Sequence, residues 1–160
     1  AGFLDVLARM GADIDVTPTG DHGADLRIRS APLRATDVGG SEVAGLIDEI
    51  PVLAVAAAVA EGVTVFRDAA ELKVKESDRI ASMTAALSAV GVAVEATDDG
   101  LVVTGGRISS GAIDSQGDHR VAMSLAVAGL AATGAARVEG WAPVATPYPG
   151  SQEDLRSCFS

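Results

Sequence analysis

Two stretches of this 160-residue chain match each other in a way few architectures can accommodate. Asp48 precedes an apolar run over 51–60 that ends at Gly62, before the strand-like Val63–Phe66. About 70 residues later, Asp118 precedes an apolar run over 121–132 that ends near Gly134, before Ala136–Glu139. Both runs are apolar on nearly every helical face, so each must be surrounded by protein. Pro51 suits a first helical turn and Gly62 the position just past a helix end. Helices more buried than the strands around them predict an inverted layering, helices inside and sheets outside.

A second correspondence has an offset of about 80. Residues 2–10 carry Phe3, Leu4, Leu7 and Met10 at helical spacing, Gly11 stops the helix, Ile14 and Val16 alternate with Asp13 and Asp15, and 25–30 alternates again after a turn. Residues 80–90 form a helix, Gly91 stops it, 92–96 is a strand, Asp98 to Gly100 turns, and Leu101–Thr104 returns. The two patterns together predict a unit of about 70 residues: strand, buried helix, strand, amphipathic helix, hairpin. Residues 1–30 then read as the tail of one unit, 31–105 as a complete unit, and 106–160 as most of a further one ending in a helix over 151–159. A missing first unit is the expectation for the abrupt start.

Composition bounds the partners. With 12 basic against 22 acidic side chains the net charge is −10, which opposes general attraction to nucleic acid or an anionic membrane. Any bound anion must meet a local cluster of cations. Cys158 is the lone cysteine, so no internal disulfide forms, and a cytoplasmic location is expected. The longest apolar runs, 50–60 and 121–132, fall short of the about 20 residues of a membrane span, and no secretory signal opens the chain.

The polar residues gather at helix starts. In Glu71 to Arg79 (ELKVKESDR), the helix is expected from Glu76 on, with Ile80, Met83, Leu87 and Val90 on one stripe that also carries Glu76. Lys75 stands one turn before Arg79, where the helix dipole disfavours cations and favours an anionic ligand. A solvated charged first turn is the plain alternative. Asp48-Glu49 and Asp118-His119-Arg120 head the two apolar helices. All three sets could converge on one edge, and their sum suits acid–base work on an anionic substrate. Asp48 and Asp118 also read as simple N-caps. Arg120 leads into a helix with no polar face for it, so it needs an anionic ligand or an ion pair with Asp48 or Glu76. No metal-ligand spacing appears, and no glycine-rich phosphate loop. His22 reads as a solvated loop residue, and Gly39-Gly40 and Gly105-Gly106 as turns.

These residues also carry a resemblance. Glu71 to Arg79 together with Gly117 to Met123 (GDHRVAM) resembles the paired motifs of the 5-enolpyruvylshikimate-3-phosphate synthases. Residues 46–60, headed by Ile47 to Pro51, are similar to that family's third motif, and 2–14 to the wider enolpyruvyl transferases. The resemblance implies an α+β fold of inside-out βαβαββ units, three to a domain, two domains to an enzyme. This chain would be the C-terminal part of the second domain, with an N-terminal domain missing. The implied reaction moves the enolpyruvyl group of phosphoenolpyruvate onto the 5-hydroxyl of shikimate 3-phosphate, in aromatic amino acid biosynthesis. It needs no metal or organic cofactor, and the herbicide glyphosate competes for the phosphoenolpyruvate site.

By the same resemblance Asp48 meets the 5-hydroxyl and accepts its proton, and Glu76 protonates the methylene carbon of phosphoenolpyruvate. Lys75 contacts the shikimate phosphate, Arg79 and Arg120 hold phosphoenolpyruvate, and His119 lies beside that site. The sequence departs from the family at Glu71, where some members have Asn, and at Thr146, where many have a Lys reaching phosphoenolpyruvate. Gly150-Ser-Gln152 also replaces an acidic-aromatic continuation. Two alternatives stand beside this reading: a sister transferase acting on UDP-N-acetylglucosamine, and a catalytically silent half that needs a separate N-terminal domain.

Overall fold

The computed structural model describes residues 2–20 and 23–158. The expected His22 loop lies outside them. The elements are α1 (Phe3–Arg9), β1 (Asp13–Pro18), β2 (Ala24–Arg29), β3 (Asp37–Val38), α2 (Ile50–Ala58), β4 (Val63–Phe66), α3 (Arg79–Ala89), β5 (Ala93–Ala96), β6 (Leu101–Thr104), β7 (Gly111–Asp114), α4 (His119–Ala131), β8 (Ala136–Glu139) and α5 (Ser151–Ser157). Three 3₁₀ turns, Gly40–Gly45, Ala70–Val74 and Ala142–Ala145, occupy stretches whose sequence gave no helical period.

One four-stranded sheet has the order β3-β4-β6-β5, with β3 parallel to β4 and the other pairs antiparallel. Two smaller sheets flank it: the antiparallel hairpin β1-β2 and the parallel pair β7-β8. The hairpin pairs Ile14 with Ile28 and Val16 with Leu26; its later counterpart pairs Val94 with Val103 and Ala96 with Leu101. Gly11 and Gly91, which follow α1 and α3, both take a left-handed φ, +89° and +82°, that a side chain would strain.

The layers are inverted as expected. In α2, Ile50, Leu53, Ala54 and Ala58 are fully buried, and the helix packs against α3, α4, β4 and β6. Its burial follows from a sequence with no polar residue between Ile50 and Ala60. α3 is amphipathic: Ile80, Met83, Leu87 and Val90 face the core while Ala81, Ala85 and Ser88 stay exposed. The β1-β2 hairpin lacks such cover, leaving Val16, Leu26 and Ile28 exposed. α4 departs from the expectation of burial on every face, since its Val127 and Leu130 are exposed, as is Val59 just past the end of α2.

Helix starts differ from the expectation in three places, and each shift alters the site. α3 begins at Arg79 rather than Glu76, because Asp78 is its N-cap and accepts from the Ala81 amide at 3.0 Å. Lys75 and Glu76 therefore sit in the connection before the helix, and Glu76 is not on its stripe. α2 begins at Ile50, and its N-cap is Glu49, with no side-chain cap bond; Asp48 is thus not a cap. α4 begins at His119, so His119 and Arg120 are its first two residues rather than its preceding loop.

Candidate active site

The starts of α2, α3 and α4 converge, and their charged side chains meet. Arg79, the first residue of α3, is only 3% exposed. Its Nε donates to Asp118 Oδ2 at 2.8 Å and its Nη1 to Asp48 Oδ1 at 2.8 Å. Asp118 is fully buried and has a second duty as N-cap of α4. Its Oδ1 accepts from the Arg120 amide at 2.8 Å and the Val121 amide at 3.2 Å. Ser77 Oγ donates to Oδ2 at 3.2 Å. One buried cation thus ties three helix starts together through two carboxylates.

The loop ahead of α4 is held in shape by backbone and hydroxyl. Gln116 takes φ +53°, unusual for a residue with a side chain, and Gly117 takes +76°. Ser82 of α3 donates to Gln116 Oε1 at 3.1 Å and lies 3.2 Å from Ser77 Oγ. These contacts set Asp118 at the height of Arg79.

Around this buried pair the remaining groups are open to ligand. Arg120 is about one-third exposed, with Nη2 at 3.5 Å from Asp48 Oδ2 and Nη1 at 3.6 Å from Glu49 Oε1. A 160 Å³ cavity there is lined by Asp48, Glu49, Val52, Arg120, Met123 and Ser124 among others. Glu76 Oε2 and His119 Nδ1 are 2.7 Å apart, the tautomer deciding which one donates. They line a 390 Å³ recess with Gly117, Pro143, Thr146 and Pro147. Lys75 is paired with Glu71 four residues earlier.

The electrostatics follow from these contacts. The Arg79 bond holds the Asp48 carboxyl below its ordinary value against the opposing effect of burial, helped by the charges of Arg120 and Lys75. Burial pushes Asp118 up, but the Arg79 bond and the α4 amides outweigh it and its carboxyl is lowered too. Burial would lower the Arg79 guanidinium; its bonds to Asp118 and Asp48 raise it instead.

Glu76, Asp118 and His119 bring ligand atoms within 4.8 Å of one another, a proximity that their spacing in sequence did not reveal. Both Asp118 oxygens already accept hydrogen bonds from Arg79, Ser77 and two amides, so the donor set fits the ion-pair network better than a metal.

Of the residues singled out by sequence, Asp48, Glu76, Arg79, His119 and Arg120 all lie in this convergence, and Lys75 is near enough for its charge to act on Asp48. Arg79 differs most from expectation. It reads in sequence as a cation waiting for an anion, yet two carboxylates of its own chain already hold it. The ion pair raised as an alternative for Arg120 is made tightly by Arg79 and loosely by Arg120. Asp118 was legible only as a cap, and Ser77 and Gln116 not at all.

Comparison with known proteins agrees with this geometry. The family model of EPSP synthase (3-phosphoshikimate 1-carboxyvinyltransferase) matches residues 1–155. A 3-phosphoshikimate 1-carboxyvinyltransferase of Gloeobacter violaceus is 53% identical over 96% of this chain and 37% of its own length. One from Geobacter sulfurreducens is 48% identical over 92% and 36%. The solved EPSP synthase of Acinetobacter baumannii superposes with a TM-score of 0.90 at 38% identity, over 96% of this chain and 38% of that one. The enolpyruvyl transferase NikO of Streptomyces tendae follows at 0.71 and 26% identity, over 96% and 34%. The chain therefore spans little more than a third of the length of these relatives. Within that span, the inverted layering, the converging helix starts and the match over residues 1–155 agree: the chain belongs to the EPSP synthase (3-phosphoshikimate 1-carboxyvinyltransferase) family.

Proposed function

We propose that this chain carries part of the active site for enolpyruvyl transfer from phosphoenolpyruvate to the 5-hydroxyl of shikimate 3-phosphate. The observation that supports it most is the meeting of Asp48, Glu76, His119 and Arg120 at three helix starts, around a cation fixed by buried bonds. Asp48, kept ionised by Arg79, accepts the proton of the 5-hydroxyl as that oxygen attacks C2 of phosphoenolpyruvate. Glu76 delivers a proton to the C3 methylene, which gives a tetrahedral adduct. The adduct then loses a C3 proton back to Glu76 and expels phosphate, which takes the electrons of its C2–O bond and the proton held by Asp48. His119, bonded to Glu76, orients that carboxyl.

Arg120 and Arg79 hold the anionic phosphoenolpyruvate, and Lys75 takes the shikimate phosphate once it leaves Glu71. In the same proposal residues 1–30, 31–105 and 106–160 are parts of successive βαβαββ units in one domain. The cleft is completed by an N-terminal domain, in a cytoplasmic enzyme that glyphosate can inhibit.

A second reading draws on coverage: because the chain spans 37% of its relatives, it is a silent half until an N-terminal part joins it. Phosphate release by the purified chain, given phosphoenolpyruvate and shikimate 3-phosphate, separates the two, with Glu76→Gln as control. Release abolished by the control supports a sufficient site. Release only after an N-terminal domain is added supports the silent half. Competition by UDP-N-acetylglucosamine but not by shikimate 3-phosphate would sink the acceptor assignment.

A further inference from the structure

Asp48 and Arg79 stand in an awkward relation if the proposed function holds. A base that accepts a proton should not be fully neutralised by a tight cation, and a cation that holds an anion should not be spent on the chain's own carboxylate. The buried side of the site resolves both. Asp118 Oδ2 takes Arg79 by Nε, while Nη1 goes to Asp48. Among the described residues Nη2 has no hydrogen-bond partner, and no buried side-chain nitrogen or oxygen lacks one. Nη2 is therefore not sealed in the core.

Asp118 in turn cannot move. Its Oδ1 is fixed by the Arg120 and Val121 amides and its Oδ2 also takes the Ser77 hydroxyl, with the side chain fully buried. We infer that Asp118 is the positioning residue of this site, sharing Arg79 with Asp48 so that Nη2 is left for an anionic ligand and Asp48 is not fully neutralised as a base. The inference rests on the proposed reaction for its use, and on the ion-pair geometry for its existence. The charged groups facing Asp48 are Arg79 from α3, Arg120 from α4 and Lys75 from the connection before α3, with Glu49 beside it on Arg120. Among the described residues, Asp118 is the anion that shares Arg79 with Asp48.

The test uses the 160-residue chain and the variant Asp118→Asn, which keeps an acceptor for the α4 amides and removes the charge. Three quantities are read by NMR: exchange of the Arg79 Nε–H proton, titration of the Asp48 carboxyl, and the shift of the arginine side chains on adding phosphoenolpyruvate. In Asp118→Asn the Nε–H is expected to exchange at least about tenfold faster. Asp48, left alone with the cation, is expected to titrate at still lower pH. Phosphoenolpyruvate affinity should fall about tenfold, with α4 amide protection retained.

A folded Asp118→Asn with unchanged Nε–H exchange and unchanged Asp48 titration overturns the inference. Should that variant not fold, Asp48→Asn decides: a protected Nε–H there shows that Asp118 holds Arg79 by itself, and its loss overturns the assignment. A wild-type chain that shows no phosphoenolpyruvate response counts against the proposed reaction. The two ligand-free measurements still decide the role of Asp118.

Discussion

Arg79 and Asp118 meet between the starts of α3 and α4, Nε to Oδ2 at 2.8 Å, with side chains 4% and 0% exposed. Removing one partner of such a pair leaves an uncompensated buried charge, which costs about 3–5 kcal/mol. Arg79→Met is therefore expected to destabilise the chain by about that much. Adding Asp118→Asn removes the stranded charge, so the double variant should be more stable than the sum of the single losses implies. Urea unfolding of the two single variants and the double one checks this; strict additivity would show that the pair is not coupled.

The same pair sets an acid limit on stability. Asp118 and Asp48 both lie below their ordinary value of 3.8 in the folded chain. A depressed carboxyl contributes stability that is fully present above its unfolded pKa and is lost as pH falls through its folded one. The chain should hold a constant midpoint temperature near neutrality and lose it as pH falls below about 4. Asp118→Asn should flatten that acid loss. A wild-type midpoint that instead drops between neutrality and about pH 5 would assign the loss to other groups.

Arg120 contrasts with Arg79. It is 38% exposed, and its contacts with Asp48 and Glu49 are 3.5 and 3.6 Å, long for charge-assisted bonds. Such a pair contributes about 1 kcal/mol or less to stability. Arg120→Ala should therefore leave the unfolding midpoint nearly unchanged while weakening phosphoenolpyruvate binding about tenfold. Calorimetric titration beside a thermal melt separates the two effects. A variant that unfolds, or one that binds as tightly as wild type, removes the ligand role.

The apolar periods made the fold legible. Residues 51–60 form the buried helix their composition requires, whereas 121–132 form a helix that leaves Val127 and Leu130 exposed; the glycines at 11 and 91 ended their helices where a left-handed φ is needed. The three 3₁₀ turns were invisible, because short turns carry no hydrophobic period. The start of α3 was misjudged by one turn because Glu76 continues the helical stripe. Asp78 interrupts it by capping, a local hydrogen bond that outweighs periodicity. The site residues were legible as a set, since charged groups heading apolar helices must find partners. Their pairing was not, because Asp48, Arg79 and Asp118 are far apart in sequence and only the packing of α2, α3 and α4 decides which carboxylate takes which cation.

Glu71 and Lys75 supply the last prediction. They form an ion pair across the end of the 3₁₀ turn, with Glu71 more than half exposed and Lys75 about one-quarter exposed. Lys75 thus already has a carboxylate of its own chain beside it. A phosphate approaching Lys75 must displace Glu71, and it meets that negative charge on the way. Glu71→Gln preserves size and removes the competition. It should leave stability within about 0.5 kcal/mol and tighten shikimate 3-phosphate binding severalfold at low salt, with the gain shrinking as salt is raised. Titration of wild type and variant at two salt concentrations checks this. Weaker binding by Glu71→Gln would mean that Glu71 holds Lys75 in place for the ligand, and equal binding would place Lys75 outside the phosphate site.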